Sequence, residues 1–241
     1  MRLRWLLLTV LLFAAALPGI AALSLRVYEN ALVRRTEAEV SAQAAALAAS
    51  TALLWPGAQP VATETAEASA SASARLDPYQ AATTTGIDLR STTILPERPP
   101  AEAPKNPPDP AALEAARRIE PAIAETKAAT LASIVLLDRD GTMVSGKQTG
   151  LSLGMLPEVR AALAGGAQTV LRSNSSYDHG YLLNWLSRAT DLRLHHARAI
   201  TVNGQVVGAI LVSRSPSALF RGMWEDWGKI AFGVGAIFAL L

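Results

Sequence analysis

Residues 192–213 read LRLHHARAITVNGQVVGAILVS, two apolar-rich runs on either side of Asn203-Gly204. Asn-Gly is the pair most typical of two-residue hairpin turns, because both positions must tolerate a positive φ. The stretch therefore predicts a β-hairpin formed by strands 192–202 and 205–213. The predicted register pairs Val202 with Gln205, Ile200 with Val207, Arg198 with Ala209, and His196 with Leu211.

Segments upstream of the hairpin predict the rest of a small α+β domain over residues 111–215. Asp109-Pro110 provides an N-cap and a first helical position for a helix running from Ala111 to about Thr130. Three further strands are predicted, together with a short helix closed by Gly165-Gly166. Five strands joined by hairpins predict an antiparallel five-stranded sheet, covered on one face by long helices. The predicted strands are 133–138, 142–146 and 168–172, and the short helix is 156–164.

The N-terminal residues predict a membrane anchor. Residues 5–25 carry no charge and follow Arg2 and Arg4, and about 20 apolar residues cross a bilayer core as a helix. The positive-inside rule places residues 1–4 in the cytoplasm and exports the residues that come after the helix. A cleaved secretory signal is the alternative, because residues 18–22 resemble a small-residue cleavage site. Either interpretation exports the middle of the chain.

The C-terminal residues predict a return to the membrane. Ser215-Pro216 begins a predicted exit helix over 216–229, which leads into the uncharged residues 230–241. Twelve residues are too few to cross a bilayer, since about 20 are needed. We therefore interpret 230–241 as the start of a truncated second transmembrane helix. A short amphipathic or core helix is the alternative.

Two segments connect the anchor to the predicted domain. Residues 26–55 predict a juxtamembrane helix, because they are rich in good helix formers. Its narrow apolar stripe suits either packing within the domain or the seam of a homodimer. Residues 56–110 are rich in Pro, Ala, Ser and Thr, a composition that buries little apolar surface and predicts a flexible insertion.

Composition excludes several functional classes. The net charge is only +2 and the basic residues are scattered, unlike the basic stripe of a nucleic-acid-binding protein. The chain has no cysteine, which excludes disulfides and thiolate metal sites. The run Gly141-Thr-Met-Val-Ser-Gly-Lys147 is followed by Gln148 and not by the Ser or Thr that completes a phosphate-binding loop.

The order of these segments resembles the extracytoplasmic PAS-like sensor region of proteobacterial two-component sensor histidine kinases, of the PDC or Cache-like class. The resemblance rests on residues 25–39 after the first apolar run, and on 137–141, 156–165 and 202–214. It implies a sensor domain in the periplasm, anchored in the bacterial inner membrane, which reaches a response regulator only through a kinase portion. That portion is absent from this chain, so we expect the chain to sense a signal and not to phosphorylate.

Two other interpretations remain open. The same sensor could serve a chemotaxis receptor or a cyclic-dinucleotide enzyme. An envelope scaffolding protein that binds a protein partner is the alternative from a different class.

The predicted register also assigns the two faces of the hairpin. Small residues such as Ala197, Ala199 and Gly208 share one face, and small residues permit close approach of a helix. We therefore assign that face to the core beneath the long helices. Arg198 and His196 would point to the opposite side, where PAS-like sensors usually keep their ligand pocket.

Arg198, His196 and Arg172 are the candidate ligand-binding residues. Guanidinium and imidazole groups together suit a carboxylate or another small anion. The alternative is that these side chains are solvated or structurally paired, since sheet faces often carry exposed basic residues. His195 and His196 are adjacent on a strand and point to opposite faces, so we expect no shared metal ion. No cofactor is implied.

Overall fold

The computed structural model describes residues 2–59, 86–174 and 191–216, together with the isolated positions 228 and 232. The fold is α+β, as predicted. Over the described part of the chain it has three helices and five strands. In chain order these are α1 (Arg2–Leu53), β1 (Ile94–Leu95), α2 (Pro110–Thr130), β2 (Ser133–Asp138), α3 (Pro157–Leu163), β3 (Ala167–Ser173), β4 (Leu192–Val202) and β5 (Gln205–Arg214).

The strands form one sheet in the order β1-β3-β4-β5-β2. Neighbouring strands are antiparallel except for β1, which runs parallel to β3. The prediction of a wholly antiparallel sheet is therefore wrong, and the sheet is mixed. The reason is that its fifth strand comes from residues 56–110 and not from a local hairpin.

Residues 142–146, which were predicted to form that fifth strand, pair with β2 only through an isolated bridge between Leu137 and Met143. A main-chain ladder cannot continue there because the N–H of Leu136 donates to Ser145 Oγ at 2.8 Å. The N–H of Met143 does not bond to β2 but donates to the carbonyl of Leu151 at 2.8 Å. Hydrogen bonds to a side chain and to a loop thus take the place of the predicted strand pairing.

The Pro-rich segment is not uniformly flexible, because its residues 86–110 lie against the domain. Ile87 is buried in the main core, and Ile94 and Leu95 pair with β3. Glu102 forms an isolated bridge with Ser152. The first part of the predicted insertion, residues 60–85, lies outside the described residues.

The two faces of the sheet carry different layers. The long helices α1 and α2 cover one face, which we call the helix face, and the short helix α3 covers the other, the α3 face. The N–H of Ala111 donates to Asp109 at 2.9 Å, so the predicted N-cap of α2 is confirmed. Small residues of α1, such as Ala44 and Ala48, meet large side chains of the sheet, among them Leu194 and Ile200. Small residues of the sheet, Ala197 and Ala209, lie under α3.

The turn of the β4–β5 hairpin is confirmed. Asn203 and Gly204 have φ values of 50° and 78°, as a type I′ turn requires, and Val202 pairs with Gln205. An irregularity then falls between Ile200 and Thr201. From there the register differs by one residue from the predicted one, so that Ile200 pairs with Gly208, Ala199 with Ala209, Arg198 with Ile210, Ala197 with Leu211, and His196 with Val212.

The predicted assignment of the hairpin faces is wrong for β4, whereas Ile210 and Val212 of β5 lie in the core beneath the long helices as predicted. Leu194 and Ile200 belong to the core beneath α1, and alternation along β4 places His196 and Arg198 on that same helix face. Small residues were expected under the long helices, but α1 itself supplies the small side chains and the sheet supplies the large ones. Complementary volumes, rather than small residues on the sheet, set this interface.

Helix α1 includes the residues predicted as a first membrane segment and continues to Leu53. Within the residues that the structure describes, no helix satisfies the criteria of length and apolarity for crossing a bilayer. The predicted exit helix 216–229 and the predicted second segment 230–241 lie outside the described residues, apart from positions 216, 228 and 232.

Candidate functional site

The structure does not bring the three predicted ligand-binding residues together. Arg172 lies on the α3 face, where it contacts Glu158 of α3. Arg198 and His196 lie on the opposite face of the sheet, beneath the long helices. A single ligand in one pocket cannot contact all three side chains.

Arg172 is held by a buried ion pair. Its Nε and Nη2 donate to the two carboxylate oxygens of Glu158 at 3.1 and 2.9 Å, and its Nη1 donates to the Pro96 carbonyl at 3.3 Å. The side chains of Arg172 and Glu158 are 4% and 0% exposed. With its donors used in this way, Arg172 joins α3, β3 and the residues after β1, and it does not face a ligand.

His196 is a buried neutral side chain of the helix face. Its Nδ1 lies 2.8 Å from Thr169 Oγ1, and its Nε2 has no hydrogen-bond partner within the described structure. Burial, and then the charge of Arg198, lower the pKa of His196 from 6.5 to about 4. A neutral imidazole beneath α1 serves packing, so its proposed role as an anion ligand is not supported by its position.

A polar pocket does exist, at the end of the sheet where β3 finishes and β4 begins. Its volume is about 220 Å³. Drug-sized ligands occupy pockets of roughly 300–1,000 Å³, so this pocket suits a smaller molecule. It is lined by Glu97, Arg98, Ser133, Ser173, Asn174, Arg193 and His195.

Four parts of the fold converge on the pocket. Arg193 and His195 are alternate residues of β4, so both point to the α3 face. Ser133 begins β2 and Ser173 ends β3, which brings both residues to the same end of the sheet. Residues 97 and 98 come directly after β1, and the pairing of β1 with β3 carries them to the pocket.

The pocket concentrates positive charge. Burial, and then the like charge of Arg98, lower the pKa of the Arg193 guanidinium below its usual value. Burial lowers the pKa of His195 to about 3, with further contributions from Arg193, Arg172 and Arg98. His195 is therefore neutral near pH 7, and its Nδ1 has no hydrogen-bond partner in the described structure. Glu97 is the one carboxylate among the lining residues.

This arrangement suits a small anion. Two half-buried guanidinium groups repel each other, and an anion placed between them would relieve that repulsion while accepting charge-assisted hydrogen bonds. The Ser133 hydroxyl and a neutral imidazole add donors that fit a carboxylate or an oxyanion. Among the residues that the structure describes, no cluster of three or more His, Cys, Asp or Glu side chains could hold a metal ion.

Sequence reasoning named none of the residues that line this pocket as ligand-binding residues. It missed Arg98 because this residue lies in a Pro-rich stretch that gave no strand signal. It missed Arg193 and His195 because the hairpin faces were interchanged. The signal that could have found Arg193 and His195 is their alternation near the start of β4, which places both side chains on one face of the sheet.

The comparisons with known proteins assign no family. The chain matches no protein-family model and no curated protein. The pocket and the fold around it are therefore the features that bear on its function.

Proposed function

We propose that this chain is the extracytoplasmic sensor module of a membrane-anchored receptor, and that its pocket at the end of the sheet binds a small anion. A sheet with long helices on one face and a short helix on the other is consistent with a PAS-like sensor domain. The observation that carries the proposal is the convergence of Arg98, Arg193 and His195 on one pocket of about 220 Å³.

The cellular context is part of the same proposal. Residues 5–25 anchor the module in the bacterial inner membrane, the domain lies in the periplasm, and two copies associate along α1. The output is that of a two-component sensor histidine kinase, which passes its signal to a response regulator.

The proposed mechanism uses the two faces of one sheet. An anion would bind at the α3 face, between Arg193 and Arg98. Strand β4 passes directly from this pocket to the core beneath α1, where Leu194 and Ile200 are buried. A change in how the sheet packs on α1 would shift the helix that enters the membrane, and such a shift biases a two-state receptor.

Calorimetric titration of the full-length chain in nanodiscs tests the binding step. The panel is acetate, succinate, citrate, inorganic phosphate and sulfate. We expect at least one anion to bind to the wild type and Arg193→Gln to weaken it about 10- to 100-fold, since a charge-assisted hydrogen bond contributes about 1.5–3 kcal/mol. Arg198→Gln is the matched control, because Arg198 lies on the same strand and faces the other way. Equal affinity of the Arg193 and Arg198 variants would rule out this pocket.

An alkaline phosphatase fusion after Gln148 tests the location. An exported domain gives an active fusion in a bacterial host, and a cytosolic domain gives an inactive one. An inactive fusion would overturn the receptor interpretation while leaving the anion pocket to be judged by the titration.

A further inference from the structure

Residues 86–98, which we call the strap, connect α1 to the pocket. The strap begins beside the middle of α1, crosses the edge of the sheet as β1, and ends with Glu97 and Arg98 in the pocket wall. It therefore contacts both the helix that is proposed to carry the signal and the site that is proposed to receive it.

The first half of the strap is tied to α1 by side chains of the helix. The N–H of Leu89 donates to Asn30 Oδ1 at 3.1 Å, and the N–H of Ile87 donates to Glu37 Oε2 at 3.2 Å. Arg34 donates from Nε to the Ile87 carbonyl at 3.3 Å. Side chains that are one and two helical turns apart on α1 thus hold the main chain of the strap, which is not part of a strand at this point.

A salt bridge and a buried side chain complete this attachment. Arg34 Nη2 lies 3.6 Å from Asp88 Oδ2, and both side chains are partly exposed. The Ile87 side chain is 2% exposed and joins the core that contains Val33 and Val40 of α1. The strap is therefore seated on α1 by one apolar anchor and several polar contacts.

The second half of the strap is fixed by the sheet. Ile94 and Leu95 pair with Leu171 and Arg172 of β3, and the Pro96 carbonyl accepts from Arg172 Nη1 at 3.3 Å. Arg98 comes two residues later. The buried Arg172–Glu158 pair thus determines where the strap ends, and so where Arg98 stands.

We propose that the strap couples α1 to the anion pocket, so that Asn30 and Glu37 are positioning residues for anion binding although neither lines the pocket. This inference rests on the proposed anion site and adds a route by which that site reaches α1. Coupling between two sites is reciprocal. Anion held by Arg98 should therefore stabilise the strap on α1, and loosening the strap from α1 should weaken anion binding.

Hydrogen exchange tests one direction of the coupling. The amides of Ile87 and Leu89 are hydrogen-bonded to α1 side chains, so their exchange reports directly on the seating of the strap. The probe is whichever anion of the panel, from citrate to inorganic phosphate, binds the full-length chain in nanodiscs. We expect saturation with that anion to slow exchange at both amides at least threefold in the wild type and not in Arg193→Gln. Unchanged exchange in the anion-bound wild type would overturn the coupling.

Variants of α1 test the other direction. We expect Asn30→Leu, which removes the acceptor for Leu89, to weaken anion binding about threefold to tenfold, the range for one lost hydrogen bond. Asn30→Asp keeps an acceptor and should restore affinity, which a purely structural defect would not predict. Arg35→Gln is the matched control, because Arg35 pairs with Glu39 on the exposed side of α1. Equal affinity of Asn30→Leu and Arg35→Gln would contradict the proposal.

A measurement without ligand separates the two proposals. The chain contains no cysteine, so a single cysteine introduced as Ser133→Cys, in the pocket wall, reports access to the pocket through its alkylation rate. We expect Asn30→Leu to raise that rate at least threefold by loosening the strap, and Arg35→Gln to leave it unchanged. If no anion of the panel binds but this difference appears, the anion site fails, and the result shows only that the seating of the strap on α1 controls access to the pocket. If anions bind and the rate does not change, the coupling alone fails.

Discussion

Adjacent residues of β4 lie in different surroundings because their side chains point to opposite faces of the sheet. His196 points toward the long helices and shares its surroundings with Leu194 and Ile200, whereas His195 points to the α3 face beside Arg193. On the helix face the large buried side chains are aliphatic and join α1. On the α3 face the buried side chains include the Arg172–Glu158 pair and the wall of the pocket. The comparison indicates that apolar packing dominates the helix face, whereas the α3 face combines a smaller apolar core with the buried charges from which function is inferred.

Breaking the ion pair of the α3 face should have the largest effect. We expect Glu158→Gln to lower the free energy of unfolding by about 3–5 kcal/mol, because it leaves the Arg172 guanidinium buried without a counterion. Urea unfolding followed by circular dichroism measures this change. The double variant Arg172→Met with Glu158→Leu should lose much less, since it removes both charges together. A cost below about 1 kcal/mol for Glu158→Gln would contradict the burial of this pair.

Truncating the helix face should be nearly as costly. Leu194 is 0% exposed beneath α1, and we expect Leu194→Ala to lower the free energy of unfolding by about 2–5 kcal/mol through lost burial and a cavity. The adjacent variant Arg193→Gln provides the contrast. It should leave stability unchanged or higher, because it removes a desolvated charge beside Arg98. Equal destabilisation by the two variants would mean that the faces are not distinct.

The two buried histidines of β4, His195 and His196, should make the fold sensitive to acid. Both have a pKa in the folded state below the 6.5 of the unfolded chain, about 4 for His196 and about 3 for His195. The unfolded state therefore binds protons first as the pH falls below 6.5. Stability is fully present above that pH and is lost toward pH 4, with a slope approaching about 1.4 kcal/mol per pH unit for each histidine.

Unfolding free energies measured between pH 7 and pH 4 check this slope. His196→Asn should reduce it by the contribution of one histidine. An unchanged slope in that variant would show that His196 is accessible to protons in the folded state.

The half-exposed ion pair of the helix face should matter least. Arg214 Nη1 donates to Glu39 Oε2 at 2.8 Å, with side chains 30% and 39% exposed. We expect Arg214→Gln to cost only about 0.2–1 kcal/mol, because water screens the pair. Adding about 0.5 M salt should remove most of that difference. A cost similar to that of Glu158→Gln would remove the contrast between the two faces.

How much of the site could be predicted depended on the register of the β4–β5 hairpin, which differs by one residue from the predicted register. Asn203-Gly204 located the hairpin, and Val202 pairs with Gln205 as predicted. Val206 and Val207 are both β-branched, however, so nothing in the sequence marks the irregularity beside Ile200. A shift of one residue moves every side chain to the opposite face. Arg198 and His196 were therefore placed in a pocket that is in fact lined by Arg193 and His195.

The strap is a second region whose position could not be predicted from the sequence. Residues 86–98 contain few apolar side chains and several turn formers, so their composition predicts no packed structure. Their position is set by contacts with residues distant in the chain, such as Asn30, Glu37 and Arg172. Hydrogen bonds between side chains and a distant main chain leave no periodic signal.

The sequence by itself determined the elements whose causes are local. Hydrophobic period, the Asp109-Pro110 cap and the Asn203-Gly204 turn act over a few residues, and they fixed α2, α3 and the β4–β5 hairpin. Only the tertiary structure decided which face of the hairpin meets α1, which segment supplies the fifth strand, and which arginines share a pocket. Those outcomes depend on how volumes and charges from separate parts of the chain fit together, and that fit exists only once the chain has folded.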